Sequence, residues 1–355
     1  MVLKVGRRDV ARRSVYAQLD RDPTILALPD TVNDFLPRSA LAFRDRLVLA
    51  VVPDQVERIA LAGPSRKLAL QAPVLKLDPL TNAPIGWWMV DPVIAPADPT
   101  AVGRLLRLLS GLRAEGLVAE ATGPDDLQPF GLAAPVLTVT WSSLPRFSMR
   151  DGPPGPSPAG TPLEDHSMMV GSPVPGRPGQ RFATIAGRPL VFTIGPEALG
   201  ALDAEYHDRR VLSFNPAQAR RVRLAWPDRS LALISDRRSW TTEGPVDAPG
   251  FDPGRILPLL KGVSDLSTPR YVQYLGAFPA ATGLASPRLA VRVEFDDGTP
   301  PREIRVGHPA GRGLCFATTS ADGQGPVFLV PESLFTGWTR PPRQRGDLPD
   351  DVFAP

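Results

Sequence analysis

Residues 129–141 read PFGLAAPVLTVTW, and residues 281–293 repeat the same phrase as ATGLASPRLAVRV. Gly131-Leu132-Ala133, followed by Pro135, matches Gly283-Leu284-Ala285, followed by Pro287. Alternating apolar residues come next in both copies: Leu137, Val139 and Trp141, then Leu289, Val291 and Val293. Because such alternation is typical of a half-buried strand, each copy predicts a turn that leads into a strand.

The repeat extends upstream into two predicted helices, ADPTAVGRLLRLLSGL (97–112) and FDPGRILPLLKGVSDL (251–266). Both carry an apolar stripe with the same helical spacing: Val102, Leu105, Leu106, Leu109 and Leu112, then Ile256, Leu259, Leu260, Val263 and Leu266. The spacing predicts helices that bury one face. Asp98 and Asp252 are predicted N-caps, because Pro99 and Pro253 follow them at the first helical position, where proline is favoured.

Further motifs recur in the same order. Trp87 with Pro92 matches Trp240 with Pro245, and Arg44-Asp45-Arg46 matches His207-Asp208-Arg209. A hairpin motif occurs three times, as LKVGRRDVARRSVYAQL (3–19), MMVGSPVPGRPGQRFATI (168–185) and IRVGHPAGRGLCFATTS (304–320). Each copy predicts a strand that ends at Val-Gly, a polar loop, and a second strand with an aromatic residue. Pro29, Pro196 and Pro331 then introduce a short helix.

These repeats predict an α+β fold, in which two similar units each place helices on one face of antiparallel strands. Residues 1–28 are a hairpin without its own unit, so we expect an upstream unit that this hairpin closes. The first unit is predicted over 22–150 and the second over 168–338. A Pro/Gly-rich loop over 150–167 joins them, and a disordered tail occupies 339–355.

Composition excludes several classes of protein. The 355 residues include 43 prolines and 31 glycines, about a fifth of the chain, which is below the share typical of low-complexity sequences. A formal charge of +3 does not indicate a nucleic-acid-binding face. The single Cys315 excludes an intramolecular disulfide and a multi-cysteine metal site. No apolar run is long enough for a membrane span or a signal peptide.

The ordered motifs VYAQL, PDQVERIAL, WWMVDPV, ADPTAV, GLAAPVLTVTW and the closing Val-Gly hairpin resemble a bacterial family, domain of unknown function 4340. The resemblance runs from about residue 3 to residue 338. It implies an extracytoplasmic protein held by an N-terminal membrane helix and encoded near transporters of the gliding-motility ATP-binding-cassette type. This sequence lacks such a helix, so the resemblance implies an anchor upstream. It supplies no catalytic residue.

Few residues are candidates for chemistry. Asp165-His166-Ser167 contains the residue types of a catalytic triad, but neighbours in sequence rarely reach triad geometry, so a solvated loop is favoured. His166, His207 and His308 lack metal-ligand spacing. Asp45 and Asp208 are interpreted as turn caps or partners of arginine. Alternation in ARRVRLAW places Arg221 and Arg223 on a solvent face opposite Val222 and Leu224.

Among the tryptophans, Trp87 and Trp240 lie at matched positions and are predicted to be core, whereas Trp88 is an unmatched surface candidate. We therefore assign no catalytic residue, cofactor or metal ligand. The sequence favours a non-enzymatic scaffold that binds protein partners and not nucleic acid. The resemblance further implies that this scaffold lies in the cell envelope and is an accessory of an ATP-binding-cassette transporter. The alternative is a hydrolase or polysaccharide-processing enzyme with its site between the two units.

Overall fold

The computed structural model of the chain describes residues 3–338 apart from 21, 33–40, 42–43, 65, 74–85, 121–122, 124, 146–161, 189 and 244–254. The described part consists mainly of antiparallel sheets and loops with few helices, and its α-helices with given bounds are α1 (Pro99–Gly111), α2 (Pro196–Leu202) and α3 (Ile256–Val263). The predicted α+β composition is therefore confirmed. The predicted unit boundaries stay predictions, and the tail after residue 338 lies outside the described residues.

Two sheets lie in the first part of the chain. The smaller has the order β1-β2-β3, with β1 at Leu3–Asp9, β2 at Ser14–Leu19 and β3 at Leu26–Pro29. The larger has the order β7-β6-β5-β4-β9-β10-β11-β12-β8. Its strands are β4 (Val56–Gly63), β5 (Arg66–Gln71), β6 (Trp88–Asp91), β7 (Ala95–Pro96), β8 (Gly116–Ala119), β9 (Leu137–Ser143), β10 (Glu164–Pro173), β11 (Arg181–Ile185) and β12 (Val191–Ile194).

Two further sheets follow in the second part. One pairs β13 with β17, and the other has the order β16-β15-β14-β19-β20-β21-β22-β18. The strands are β13 (Arg210–Ser213), β14 (Ala219–Ala225), β15 (Ser230–Ser235), β16 (Trp240–Thr242), β17 (Asp265–Ser267), β18 (Tyr271–Gln273), β19 (Leu289–Phe295), β20 (Arg302–Gly311), β21 (Leu314–Thr318) and β22 (Val327–Pro331).

By its internal contacts the chain divides into two compact units. The first comprises Met1–Val56, Leu61–Arg66 and Leu106–Leu202, and the second comprises Glu57–Ala60, Lys67–Leu105 and Asp203–Pro355.

The apolar stripes are buried as their spacing predicts. In α3, Ile256, Leu259, Leu260 and Val263 are each at most 2% exposed and belong to one core with Val222, Leu224, Val291 and Val306 of the eight-stranded sheet. In α1, Val102, Leu105 and Leu109 are similarly buried, whereas Leu106 of the predicted stripe is half-buried. Each helix contributes one apolar face, since a stripe at this spacing leaves the opposite side polar.

The start of α1 follows the predicted capping pattern. The Asp98 carboxylate accepts a hydrogen bond from the Ala101 backbone N–H at 2.9 Å, and Pro99 is the first helical residue. This bond satisfies one of the N–H groups that the first helical turn leaves without a partner. The matching Asp252 lies outside the described residues.

The Val-Gly strands do not end where the sequence predicts. β1, β10 and β20 continue beyond Gly6, Gly171 and Gly307, and each has an irregular register just after the glycine. The paired residues before and after the irregularity are Val5–Ala17 and Arg8–Val15, Val170–Ala183 and Pro173–Arg181, and Val306–Ala317 and Pro309–Cys315. A bulge bends a strand without ending it, which accounts for the error.

The two Gly-Leu-Ala turns account for the glycine of Val-Gly in β10 and β20. A Cβ atom on Gly171 would lie 2.2 Å from the Phe130 carbonyl oxygen, and one on Gly307 would lie 2.0 Å from the Thr282 carbonyl oxygen. Both carbonyls belong to residues at the start of a Gly-Leu-Ala turn. Only glycine allows the turn to approach the strand this closely, so the two motifs are two sides of one backbone contact.

Candidate functional site

A cavity of about 440 Å³ lies in the first unit, beside the extended segment 47–52. Its lining includes apolar side chains of that segment and polar side chains from the neighbouring strands, among them Trp141, Ser143, Glu164, His166 and Arg188. A concave site with a few convergent polar groups is the usual form of a ligand-binding site. Sequence reasoning did not find it, because segment 47–52 has no periodic pattern.

The register of β9 and β10 brings the polar residues of the cavity together. Glu164 pairs with Ser143, and His166 pairs with Trp141, so these alternate residues share one face. The His166 ring stacks on the Trp141 ring with a centroid separation of 5.5 Å, and His166 Nε2 lies 3.9 Å from a Glu164 oxygen. The i, i+2 spacing of Glu164 and His166 was the available sequence signal.

The prediction that Asp165-His166-Ser167 lies in a loop is wrong, because β10 begins at Glu164. Successive residues on a strand point to opposite faces, so Asp165 and Ser167 point away from His166. Asp165 instead accepts a hydrogen bond from Ser142 Oγ at 2.6 Å. The three residues therefore do not assemble a triad.

Two further contacts define what the cavity can bind. Arg188 Nη1 donates to the Val48 carbonyl oxygen at 2.7 Å, which ties the turn after β11 to the cavity segment. The Trp141 side chain is 3% exposed, and its indole N–H has no hydrogen-bond partner among the described residues. A histidine beside a carboxylate can donate, accept or transfer a proton, so the cavity suits a small polar molecule.

His207 lies in a different environment, in the second unit. Its ring packs against Tyr271 and Tyr274 at centroid separations of 4.4 and 5.6 Å, and its Nδ1 lies 2.7 Å from the Asp208 carbonyl oxygen. Glu205 accepts hydrogen bonds from the backbone N–H groups of His207 and Tyr271 and from the Tyr274 hydroxyl. Burial raises the pKa of Tyr271, and the charges of Glu205 and Asp208 raise it further. These contacts join two chain segments, which is a structural role.

The remaining sequence candidates also contact backbone. Asp45 and Asp208 each accept a hydrogen bond at 3.0 Å from the N–H group two residues ahead, as turn caps do. His308 lies in β20 and not in a loop, and its Nδ1 is 3.2 Å from the Ala281 carbonyl oxygen. Within the described part of the chain, no group of three or more His, Cys, Asp or Glu residues could hold a metal ion.

Residues 87–287, which include both Gly-Leu-Ala turns, match the family described as Domain of unknown function (DUF4340). The chain belongs to this family. The match covers more than half of the sequence and confirms the resemblance. Neither a curated protein nor a solved structure matches the chain.

In this DUF4340 protein Arg223 of β14 is exposed as predicted and Arg221 is partly exposed, opposite the fully buried Val222 and Leu224. Arg221 Nε donates to Glu243 at 2.7 Å and its Nη1 lies 3.8 Å from Glu294. A guanidinium paired with two carboxylates is already neutralised, which does not favour a phosphate site.

The tryptophans of the DUF4340 protein differ in exposure. Trp240 is 9% exposed and belongs to the core, Trp87 is half-buried, and Trp88 is 41% exposed. Val90, on the same face of β6, is 40% exposed, and the nearby Ile94 is 80% exposed. No helix in the described ranges is long and apolar enough to cross a membrane.

The thiol of Cys315 should be unreactive in the folded protein. Burial raises its pKa, the charge of Glu332 adds to the rise and the charge of Arg288 opposes it, and together they give a pKa of about 11. An unfolded thiol has a pKa of about 8.5. Between these values the folded state retains a proton that the unfolded state loses, so stability is fully present below about pH 8.5 and falls as pH rises towards 11.

We expect the native protein to react with a disulfide reagent at pH 8 about a hundredfold more slowly than the same protein in denaturing urea, since only the exposed thiolate attacks. Absorbance of the released thiolate measures both rates, and a Cys315→Ser variant gives the background. Equal rates in the two conditions would contradict the burial of Cys315.

Proposed function

We propose that this DUF4340 protein is a non-enzymatic tandem-repeat binding protein of the bacterial cell envelope, membrane-associated and accessory to an ATP-binding-cassette transport system of the gliding-motility kind. The envelope and the transporter come from the family resemblance. The repeat and the binding role are supported by contacts within each unit.

Strand order supports the tandem repeat. Without its edge strand β7, the larger sheet of the first part reads β6-β5-β4-β9-β10-β11-β12-β8, and the eight-stranded sheet reads β16-β15-β14-β19-β20-β21-β22-β18. At every position of these two orders, the strand of the first sheet and the strand of the second have the same rank along the chain. Such a correspondence, together with the shared sequence motifs, is expected if one unit was duplicated.

The recurring polar residues support a structural role for the repeated motifs. Arg46 donates to the Glu115 carbonyl oxygen at 3.3 Å, and the matching Arg209 donates to the Thr268 carbonyl oxygen at 2.9 Å. Both carbonyls belong to residues that follow a helix by a few positions. Because each arginine bonds to the backbone of a distant segment, a structural role in holding the fold accounts for its recurrence in both units.

The exposed apolar group of Trp88, Val90 and Ile94 is the observation that carries the binding role. Trp88 and Val90 lie on one face of β6, and Trp88 pairs with Pro96 of the edge strand β7. Exposed apolar side chains grouped on one strand are typical of a protein contact, in which tryptophan contributes disproportionately. We propose that this group contacts a subunit of the transporter.

An affinity pull-down from native membranes tests this function, with recovered proteins identified by mass spectrometry. We expect the wild-type protein to recover transporter subunits above a control bait. The double variant Trp88→Ala/Ile94→Ala should lose them. The matched control, Val272→Ala/Leu275→Ala, changes side chains of comparable exposure, 49% and 65%, in β18 and just after it, and should retain them.

If the two double variants recovered equal amounts of transporter subunits, the Trp88 group would have no specific role in the contact. Recovery of no transporter subunit would remove the support for the accessory role. It would favour the alternative, a hydrolase or polysaccharide-processing enzyme, for which the pairing of His166 and Glu164 beside the cavity is the supporting observation. Ligand screening at that cavity would then follow.

A further inference from the structure

The three-stranded sheet is built like part of the larger sheets but lacks a neighbour that both of them have. In the larger sheets, the strand with the Val-Gly bulge lies between two strands: β10 lies between β9 and β11, and β20 lies between β19 and β21. In the three-stranded sheet, β1 has the same bulge and pairs with β2, but it lies at the edge. Among the described strands, none occupies the position beside β1 that β9 and β19 occupy in the larger sheets.

Burial of one row of residues differs between the three-stranded sheet and the larger sheets. The row consists of the valine before the bulge, the alanine opposite it, and the residue paired with that alanine on the third strand. In the larger sheets its members are at most 1% exposed: Val170, Ala183 and Phe192, then Val306, Ala317 and Phe328. In the three-stranded sheet Ala17 is 2% exposed, whereas Val5 and Leu26 are each 42% exposed.

The glycine of the bulge gives a second, independent indication. Gly171 and Gly307 each accommodate a turn carbonyl at a distance that no Cβ would allow. A Cβ on Gly6 would meet only Tyr16 of its own hairpin, at 3.3 and 3.8 Å, among the described residues. Gly6 therefore corresponds to Gly171 and Gly307, but no described turn packs against it.

We propose that the β1 edge binds a turn-and-strand segment of another polypeptide chain, of the kind formed by residues 131–143, with a Gly-Leu turn on Gly6 and an antiparallel strand along β1. Both larger sheets show how such a segment pairs with the strand that carries the bulge. The N–H groups of Val136 and Arg288, which precede β9 and β19, donate to the carbonyl oxygens of Val170 and Val306 at 2.9 and 2.8 Å. The Val5 carbonyl is the corresponding acceptor.

Charge restricts the occupant. Residues 3–9 read LKVGRRD, and two of the three basic side chains, Lys4 and Arg8, pair with Asp20 and Asp30. Arg7 remains beside them, so a strand without basic side chains is favoured, because like charges on neighbouring strands repel. Residues 129–143 carry no charged side chain, whereas residues 279–295 carry two arginines and one glutamate. Strand addition to an open edge is an established mode of peptide recognition, in which main-chain hydrogen bonds give affinity and side-chain pockets give specificity.

The probe is a fluorescein-labelled synthetic peptide with the sequence of residues 129–143, titrated with the whole chain and followed by fluorescence anisotropy. We expect saturable binding and slower hydrogen exchange in residues 3–9. Gly6→Ala should weaken binding about tenfold or more, since its Cβ obstructs the turn. Val5→Asp should do the same, because it places a charge at a position that the bound segment would bury. A peptide with Leu132→Asp should not bind.

The control is Gly111→Ala, which makes the same chemical change where nothing lies within 4 Å of the added Cβ, and it should bind like the wild type. Circular dichroism checks that each variant is folded. Absence of binding to the wild type, or binding by Gly6→Ala and Val5→Asp as tight as that of the wild type, would overturn the proposal. If light scattering showed a dimer of the wild type that Val5→Asp dissociates, the β1 edge would bind a second copy of this chain, and the proposed occupant would be wrong. None of these outcomes depends on the transporter.

Discussion

Replacing Gly307 by alanine is expected to destabilise the second unit by about 3 kcal/mol, because the added methyl group overpacks a backbone contact that cannot move aside. The new Cβ would lie 2.0 Å from the Thr282 carbonyl oxygen and 3.1 Å from a Leu284 methyl carbon. Gly307 does not have a positive φ, so alanine fits its backbone conformation and the cost is steric alone. Gly171→Ala should act in the same way in the first unit, where Phe130 supplies the carbonyl at 2.2 Å.

Urea unfolding followed by tryptophan fluorescence and circular dichroism measures this effect. Gly111→Ala is again the matched control, since alanine there meets open space at the end of α1 and should leave the transition unchanged or raise its midpoint slightly. If the Gly307→Ala and Gly111→Ala proteins unfolded at the same urea concentration, the backbone contact between the turn and the strand would not exist as described.

Local patterns were sufficient to predict much of the fold. The alternation after each Gly-Leu-Ala turn predicted β9 and β19, and the stripes starting at Val102 and Ile256 predicted α1 and α3 with their buried faces. The Asp98 cap followed from a proline at the first helical position. These features depend on residues within a few positions of one another, so a single sequence contains the information for them.

Features that depend on pairing between distant segments were not predicted. A turn from elsewhere in the chain packs on Gly171 and on Gly307, and nothing near these glycines in sequence indicates that turn. The face on which His166 lies required the register of β10 against β9. The cavity required segment 47–52, whose backbone N–H groups bond to the carbonyls of Leu109 and Leu112. Tertiary contacts thus determine the candidate site more than local patterns do.

The core beneath the eight-stranded sheet should depend most strongly on Leu260. This side chain is fully buried in a core with strands β14, β19 and β20, so Leu260→Ala removes buried apolar area and leaves a cavity. Such substitutions cost about 2–5 kcal/mol, and the larger values occur where the surroundings cannot collapse into the space. Two features of α3 suggest limited collapse: Pro258 restricts the backbone, and Gly262 packs against Leu334.

The matched control is Leu257→Ala on the same helix. Leu257 is 46% exposed, and surface substitutions away from special features usually change stability by less than about 0.5 kcal/mol. We therefore expect Leu260→Ala to lower the urea midpoint substantially and Leu257→Ala to leave it nearly unchanged. Because both changes remove the same atoms from one helix, the difference between them measures burial and not helix propensity. Similar losses in the two variants would mean that the face of α3 assigned to the core is wrong.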